Sequence, residues 1–162
     1  MTSIYYTRHP SPLGQLTLAS TESGICGVFF PDQRNFRGTS GWQENPRHRH
    51  FKAVRQQLDA YFSSDLQQFD IPLDLSIYGT PFQQTVWETL LTIQFGQTRT
   101  YGQHAHRMNR PRAVRAVGGA IGRNPVSIIV PCHRVIGSNG ALTGYDGGLD
   151  RKKYLLELEG VI

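Results

Sequence analysis

Two helix-start signals of the same form constrain this chain most. Thr80-Pro81-Phe82-Gln83 and Thr100-Tyr101-Gly102-Gln103 each place a hydroxyl residue at an N-cap and a glutamine three residues later. That is the reciprocal capping box, in which two otherwise unpaired backbone donors are satisfied. Pro81 falls at the first helical position, where a missing N–H costs nothing. Phe82, Val86, Leu90 and Ile93 then form an apolar stripe, and Gly96 supplies a stop. The second signal opens a short helix to about Met108. Asn109-Arg110-Pro111 breaks it, and a further helix is expected from Arg112 to about Ile121. Two short helices across a three-residue break have the spacing of a helix-turn-helix. A last helix is expected from Asp150 to Glu159, stopped by Gly160.

The first half reads differently. Ile4–Thr7 predicts a short strand, Ser11-Pro12-Leu13-Gly14 a turn, and Leu16-Thr17-Leu18 a half-buried strand. Ile25–Phe30 predicts a more buried strand, and the set suggests an antiparallel meander. Residues 31–47 carry many breakers and no period, which predicts a loop. Phe51, Val54, Leu58, Tyr61 and Phe62 recur at helical spacing, and a strand is expected around Leu66–Leu75. The fold class is therefore α+β. A small antiparallel sheet domain with one helix spans residues 1–76, and a mostly helical domain spans 77–162.

Charge is unevenly placed. The chain carries 17 Lys and Arg against 12 Asp and Glu. Residues 1–79 are balanced at seven each, so the whole excess of +5 lies in residues 80–162, with ten against five. Between Glu88 and Asp146 there is no carboxylate, while seven arginines and no lysine occur. An acid-free arginine window points to a polyanionic partner contacted through planar, forked groups, with a phosphate backbone the first candidate. No apolar stretch is long enough to span a bilayer, and MTSIYYTRHP lacks the apolar block of a signal peptide. The expected location is the cytoplasm, where two cysteines stay as free thiols.

Within that window lies Pro131-Cys132-His133-Arg134-Val135, after the apolar run Ile128-Ile129-Val130. The run predicts buried extended backbone, held extended by the proline. A thiol needs a base to become a strong nucleophile, and His133 is adjacent. Side chains of neighbours on an extended segment diverge, so a bridging water is the expected link. Glu159, at a helix C-terminus where a carboxylate is disfavoured, is the candidate to orient the histidine as a third triad member. Cys26 reads as core. The helix after Arg112 is small-sided, through Ala113, Ala116, Gly118, Gly119 and Ala120, with Arg115 as its long central projection. That permits either close helix packing or close approach to a ligand backbone.

These residues resemble the O6-alkylguanine-DNA alkyltransferase family. The match is dense from Gly79 to Gly160. It takes in Gly79-Thr80-Pro81-Phe82-Gln83-Gln84, Thr100-Tyr101-Gly102-Gln103, Arg115-Ala116-Val117-Gly118, Asn124-Pro125, the Pro-Cys-His-Arg-Val string, Gly144-Tyr145 and Leu155–Gly160. The N-terminal third matches through Ser11–Gly14 and Leu58–Phe62. The resemblance implies a ribonuclease H-like first domain and a winged helix-turn-helix second domain. It implies that Cys132 takes the alkyl group from guanine O6, and from thymine O4, in a single irreversible turnover. His133 would take the thiol proton through water, Glu159 would orient His133, and Asn124 would brace the cysteine segment. Ala113, Arg115, Gly118, Tyr101 and Ser138 would contact DNA in the minor groove, with Arg115 filling the gap of a flipped base. Tyr101, Val135, Tyr145, Asp146 and Gly147 would line the base pocket. The partner would be double-stranded DNA carrying O6-alkylguanine, bound by a monomer, with no cofactor.

Three departures carry their own expectations. Asp146 stands where many members carry a small or hydroxyl residue, which would place a carboxylate near guanine O6. His104 and His106 are read as phosphate-facing substitutions. Some relatives bind zinc through several cysteines and histidines of the first domain, but only Cys26 is available here, so no metal is expected. Two other readings share the motifs: a DNA-lesion binder without transfer, which would not need Cys132, and a Cys-His-Glu hydrolase, which would not need the arginine window.

Overall fold

A computed structural model describes residues 2–162. The N-terminal half is built on a four-stranded sheet of order β3-β2-β1-β4. β1 (Tyr5–Ser11) and β2 (Gly14–Ser20) form a hairpin, and β3 (Ile25–Phe29) pairs antiparallel with β2. The hairpin turn at Pro12-Leu13 is closed by Ser11 Oγ, which donates to Gly14 O and accepts from Leu13 N. β1 therefore extends beyond the expected Ile4–Thr7. β2 is not half-buried either: Leu16 to Ser20 are all buried. One face of the sheet meets the main core. The other is covered by Phe36 and Trp42 from the 31–47 segment, which pack with Phe29, Ala19 and Cys26. That segment also holds β4 (Gln43–Glu44), a short parallel edge against Tyr5 and Tyr6. Period-two patterning missed this because a loop, rather than water, lies on the second face.

α1 (Phe51–Phe62) buries Phe51, Val54, Leu58 and Tyr61, as its spacing predicts. No strand forms over Leu66–Leu75. Leu73 makes only an isolated bridge to Ile25, and Pro72 contributes a carbonyl to Ile25 N but has no N–H to continue a ladder. The outer edge of β3 is shared between two segments. Residues 72–74 bond Ile25, and Pro125 O and Ser127 N bond Val28. Covering an edge strand in this way removes its unpaired groups. It also fixes the segment leading to Cys132 against the N-terminal sheet.

Both capping boxes form. Thr80 opens α2 (Pro81–Leu90) and Thr100 opens α3 (Tyr101–Arg107). α2 ends at Leu90 rather than near Gly96, and Ile93 buries from the following turn. Asn109, at φ 59°, makes the break, and α4 (Val114–Gly122) starts two residues later than expected, with Ala113 as its N-cap. Trp87 ties α2 to α4 by donating from Nε1 to Ala120 O at 2.7 Å. β5 (Arg99–Thr100) pairs parallel with β6 (Val135–Ile136), which joins the start of α3 to the end of the cysteine turn. α5 (Leu149–Leu158) closes the chain, with Glu159 as its C-cap. One apolar cluster runs from Leu16 and Leu18 through Val54 and Leu58 to Val86, Val117 and Leu155, so the two halves share a core. No helix among the described residues is long and apolar enough to cross a membrane.

Trp87→Phe removes a buried hydrogen bond and leaves a void between α2 and α4. It is expected to cost about 2–3 kcal/mol, read as a lower urea midpoint at unchanged slope.

Candidate active site

The cysteine segment is a series of tight turns, which corrects the expectation of extended backbone. Ile128 sits at φ 74°, a conformation that a β-branched residue adopts only under constraint. Val130 N bonds Val126 O, Cys132 N bonds Val130 O, and Cys132–Arg134 forms a single 3-10 turn. Asn124 holds these turns together. Its Nδ2 donates to Val130 O at 2.8 Å, and its Oδ1 accepts from Val126 N at 3.0 Å. The role read for Asn124 thus has a geometric basis, although the backbone it braces is coiled rather than straight.

Cys132 is 6% exposed. Burial pushes its thiol up to about 11, against partial relief from Asn124 and the positive charge of Lys152. The thiol is then protonated at neutral pH, so any nucleophilic role for it requires a base to take the proton. His133 is fully buried, and its Nε2 lies 2.7 Å from Glu159 Oε2. Its Nδ1 is buried with no hydrogen-bond partner. Burial lowers the His133 pKa, with Glu159 opposing, so the ring is neutral near pH 7. A neutral ring beside a carboxylate donates from Nε2–H, which leaves Nδ1 as a free base.

Glu159 is the most heavily bonded side chain of the site. Oε1 accepts from Arg134 Nε at 2.7 Å. Oε2 accepts from His133, from Arg134 Nη2 at 3.0 Å and from Tyr61 Oη–H at 2.6 Å. Burial alone would raise its pKa, but the bonds from His133 and Arg134 outweigh it and bring it to about 2. Arg134 Nη1 also donates to Ile93 O at 2.7 Å, so the guanidinium joins the turn after α2 to the end of α5. Lys152 is fully buried. Its Nζ donates to Val135 O at 2.6 Å and Thr143 O at 2.8 Å, and burial lowers it to about 8. Tyr61, Arg134 and Lys152 were absent from the sequence-derived set. Arg134 lay inside the quoted motif, and Lys152 was readable as a lone cation on an otherwise core-facing stripe with Leu155 and Leu156. Tyr61 lay in the matched Leu58–Phe62 stretch and on the core periodicity, but nothing there pointed to Glu159.

Cys132 opens into a cleft of about 330 Å³. Gly118, Gly119 and Gly122 of α4 form one wall, Gly144–Asp146 the other, and Tyr101 closes one end. Tyr101 packs on Gly118, where an added Cβ would meet its ring at 3.6 Å, and its hydroxyl donates to Thr143 O. Tyr101, Gly118, Cys132, Tyr145 and Asp146 are thus brought together. Val135 is not in the lining: it is wholly buried and contributes a carbonyl to Lys152. Gly147 is also behind the wall, where a Cβ would lie 2.5 Å from the Phe30 ring. Ser138 is exposed in the 137–141 turn, away from the cleft. Arg115 is exposed on α4, one turn before Gly119 and on the same face.

Two of the departures resolve. The Asp146 carboxylate is occupied: Oδ2 accepts from Asn35 N at 3.0 Å and Oδ1 from Asn35 Nδ2 at 2.7 Å. His104 does not face outward. It is fully buried, with Nδ1 3.0 Å from Arg99 Nη1 and Nε2 3.2 Å from Val86 O, and burial lowers it to about 4. The phosphate-facing reading of His104 is therefore wrong, since its ring fastens β5 to α2. His106 is exposed. Among the described residues no group of three or more His, Cys, Asp or Glu is placed to hold a metal ion.

Because Glu159 binds its proton less tightly when folded, it stabilises the fold fully above the ordinary carboxylate value of 4.5. That contribution, on the order of 3 kcal/mol, is lost as pH falls toward about 2. His133 acts in the same direction, since its lowered pKa makes the unfolded chain take the proton first. Melting temperature is expected to drop steeply below about pH 5. Glu159→Gln is expected to start lower at neutral pH and to show a shallower acid dependence. Parallel curves for the two proteins would contradict this.

A family model described as the DNA binding domain of 6-O-methylguanine DNA methyltransferase matches residues 81–161. Its companion, described as the ribonuclease-like domain, matches residues 4–75. The methylated-DNA--protein-cysteine methyltransferase of Mycolicibacterium paratuberculosis is 50% identical over 156 residues, covering 96% of this chain and 92% of the relative. That of Methanosarcina acetivorans is 47% identical over 158 residues, covering 97% and 99%. The solved structure of Mycobacterium tuberculosis OGT in complex with DNA superposes with a TM-score of 0.88 at 48% identity, covering 96% of this chain and 92% of that one. With both family models matched and relatives of this identity along nearly its whole length, the chain belongs to the 6-O-methylguanine DNA methyltransferase family.

Proposed function

We propose that the protein repairs alkylated DNA directly, moving the alkyl group from O6 of guanine, and from O4 of thymine, onto Cys132. The observation that carries this reading is the buried, unpartnered Nδ1 of His133, with Nε2 of the same ring tied to Glu159. A base in that state, next to a protonated thiol, is arranged for one proton transfer. His133 Nδ1 takes the thiol proton through a bridging water, and the sulfur attacks the alkyl carbon. The carbon–oxygen bond to the base breaks as the carbon–sulfur bond forms. The base leaves as an anion and recovers a proton at its ring nitrogen, so the thiol proton is balanced. Glu159 stabilises the transient imidazolium, as the carboxylate of a triad does. A thioether is a poor leaving group, so Cys132 is consumed and each molecule acts once.

Cys132 lies at the foot of the cleft, out of reach of a base stacked in a duplex. The target nucleotide must therefore be turned out of the helix, at a cost of a few kcal/mol. The exposed, small-residue face of α4 fits a shallow groove, and Arg115 projects from that face to occupy the space left in the stack. Tyr101, at the cleft's end, meets the backbone of the extruded nucleotide. The partner is thus double-stranded DNA carrying an alkylated base, bound by one copy of the chain in the cytoplasm. A lesion binder without transfer would have no use for the assembled His133–Glu159 pair.

The test is incubation with an oligonucleotide carrying one O6-methylguanine. Mass spectrometry is expected to find one methyl on Cys132 and one repaired base per protein molecule, and Cys132→Ser should bind without transfer. More than one repaired base per molecule would contradict the mechanism. Arg115→Ala is expected to slow transfer from duplex roughly tenfold or more while leaving reaction with free O6-benzylguanine unchanged. Equal slowing of both would remove the role in extrusion. Transfer is expected to fall in acid, at a pH below the ordinary histidine value of 6.5, as the buried His133 takes a proton and loses its basic nitrogen.

A further inference from the structure

One side chain outside the proposed catalytic set joins the two walls of the cleft. Asn35 Nδ2 donates both to Gly122 O of α4, at 3.1 Å, and to Asp146 Oδ1, at 2.7 Å. The backbone adds two further bonds to the same residue, from Asn35 N to Asp146 Oδ2 at 3.0 Å and from Arg34 N to Asp146 O at 3.2 Å. Asn35 thus spans from the end of α4 to the 144–146 wall, and it comes from the N-terminal half. Elsewhere the two walls are held at other points. Tyr101 bonds Thr143 at the far end, Lys152 holds Thr143 and Gly144 from beneath, and Arg151 Nη1 donates to Gly147 O at 3.0 Å. Those contacts fix the floor and one end, while Asn35 fixes the width at the other end.

We propose that Asn35 is a specificity-determining residue that limits the size of the alkyl group admitted, by cinching α4 to Asp146 across the cleft. This rests on the alkyl-transfer reading of the same cleft. A methyl group adds little to the breadth of the base. A benzyl group must lie between the walls or part them, and parting them breaks the bonds at Asn35. Residues 137–148, which follow β6, form only turns and irregular backbone, so the Asp146 wall can yield once that tie is gone. Asn35 has a second effect on the same wall. By occupying both oxygens of Asp146, it keeps the carboxylate turned to the 31–47 segment and away from the cleft.

Freeing Asp146 would also act on the nucleophile, because its charge raises the Cys132 thiol pKa. That effect slows every substrate alike, so the ratio of two substrates isolates the cinch. The experiment measures transfer rates from duplexes carrying O6-methylguanine or O6-benzylguanine, for the unmodified protein, Asn35→Ala and Asn35→Ser. Serine keeps the backbone bond to Asp146 but loses the amide that reaches both walls. Both variants are expected to raise the benzyl-to-methyl rate ratio by roughly fivefold or more. A smaller rise, an unchanged ratio or a fall overturns the proposal, as does loss of both transfers in both variants. If the unmodified protein transfers neither group, the alkyl-transfer reading itself fails. If it transfers methyl and the ratio is unmoved in the variants, only the role of Asn35 fails.

Discussion

The Glu159 carboxylate is the interaction on which the rest of the structure depends. It receives Tyr61 from α1, His133 and Arg134 from the cysteine turn, and it sits at the end of α5. A buried carboxylate left short of donors would be costly, and removing one partner of such a network typically destabilises by several kcal/mol. Here four donor groups from two other parts of the chain satisfy it. The same atoms that fasten the N-terminal half to the last helix therefore set the tautomer of the histidine beside the thiol. Stability and chemistry draw on one group, which is why acid should weaken both.

The thiol environment follows from that arrangement. Burial holds Cys132 protonated, while Asn124 and Lys152 favour the ionised form. Under the proposed single transfer, a nucleophile used once would gain from being inert until its target arrives, since a standing thiolate would be lost to oxidants and other electrophiles. The strained turn at Ile128 and the brace from Asn124 hold the sulfur in the cleft. The edge of β3, bonded to Pro125 and Ser127, sets where that turn begins. The N-terminal half thus enters the site at three points, through this edge, Tyr61 and Asn35.

Local signals were the legible part of the sequence. Both capping boxes and the α1 periodicity formed as read, because each depends on residues within a turn of one another; the two short helices also formed, but Met108 to Ala113 separate them rather than a three-residue break. The Cys132, His133 and Glu159 set was also legible, since its members are chemically distinctive and two are adjacent. Features decided by contacts across the chain were missed. Leu16-Thr17-Leu18 alternates like a one-sided strand, yet Phe36 and Trp42 bury the second face of the sheet. His104 reads as a surface polar residue, but Arg99 and Val86 supply partners that pay for its burial. Ile128 sits in a left-handed turn that no apolar run announces. Tyr61 looks like any core aromatic until Glu159, 98 residues away, is placed against its hydroxyl. Asp146 seemed a liability for the base pocket, because nothing local shows Asn35 covering it from 111 residues earlier.

The central claim is that Glu159 fixes His133 as a neutral ring protonated on Nε2, with Nδ1 left as the free base. Nitrogen-15 NMR of the histidine-labelled protein at neutral pH reads this state directly. The account predicts a neutral His133 ring with a proton on Nε2 and a bare Nδ1, and a loss of that fixed tautomer in Glu159→Gln. A His133 protonated on Nδ1, or a fully charged imidazolium at neutral pH, would contradict it.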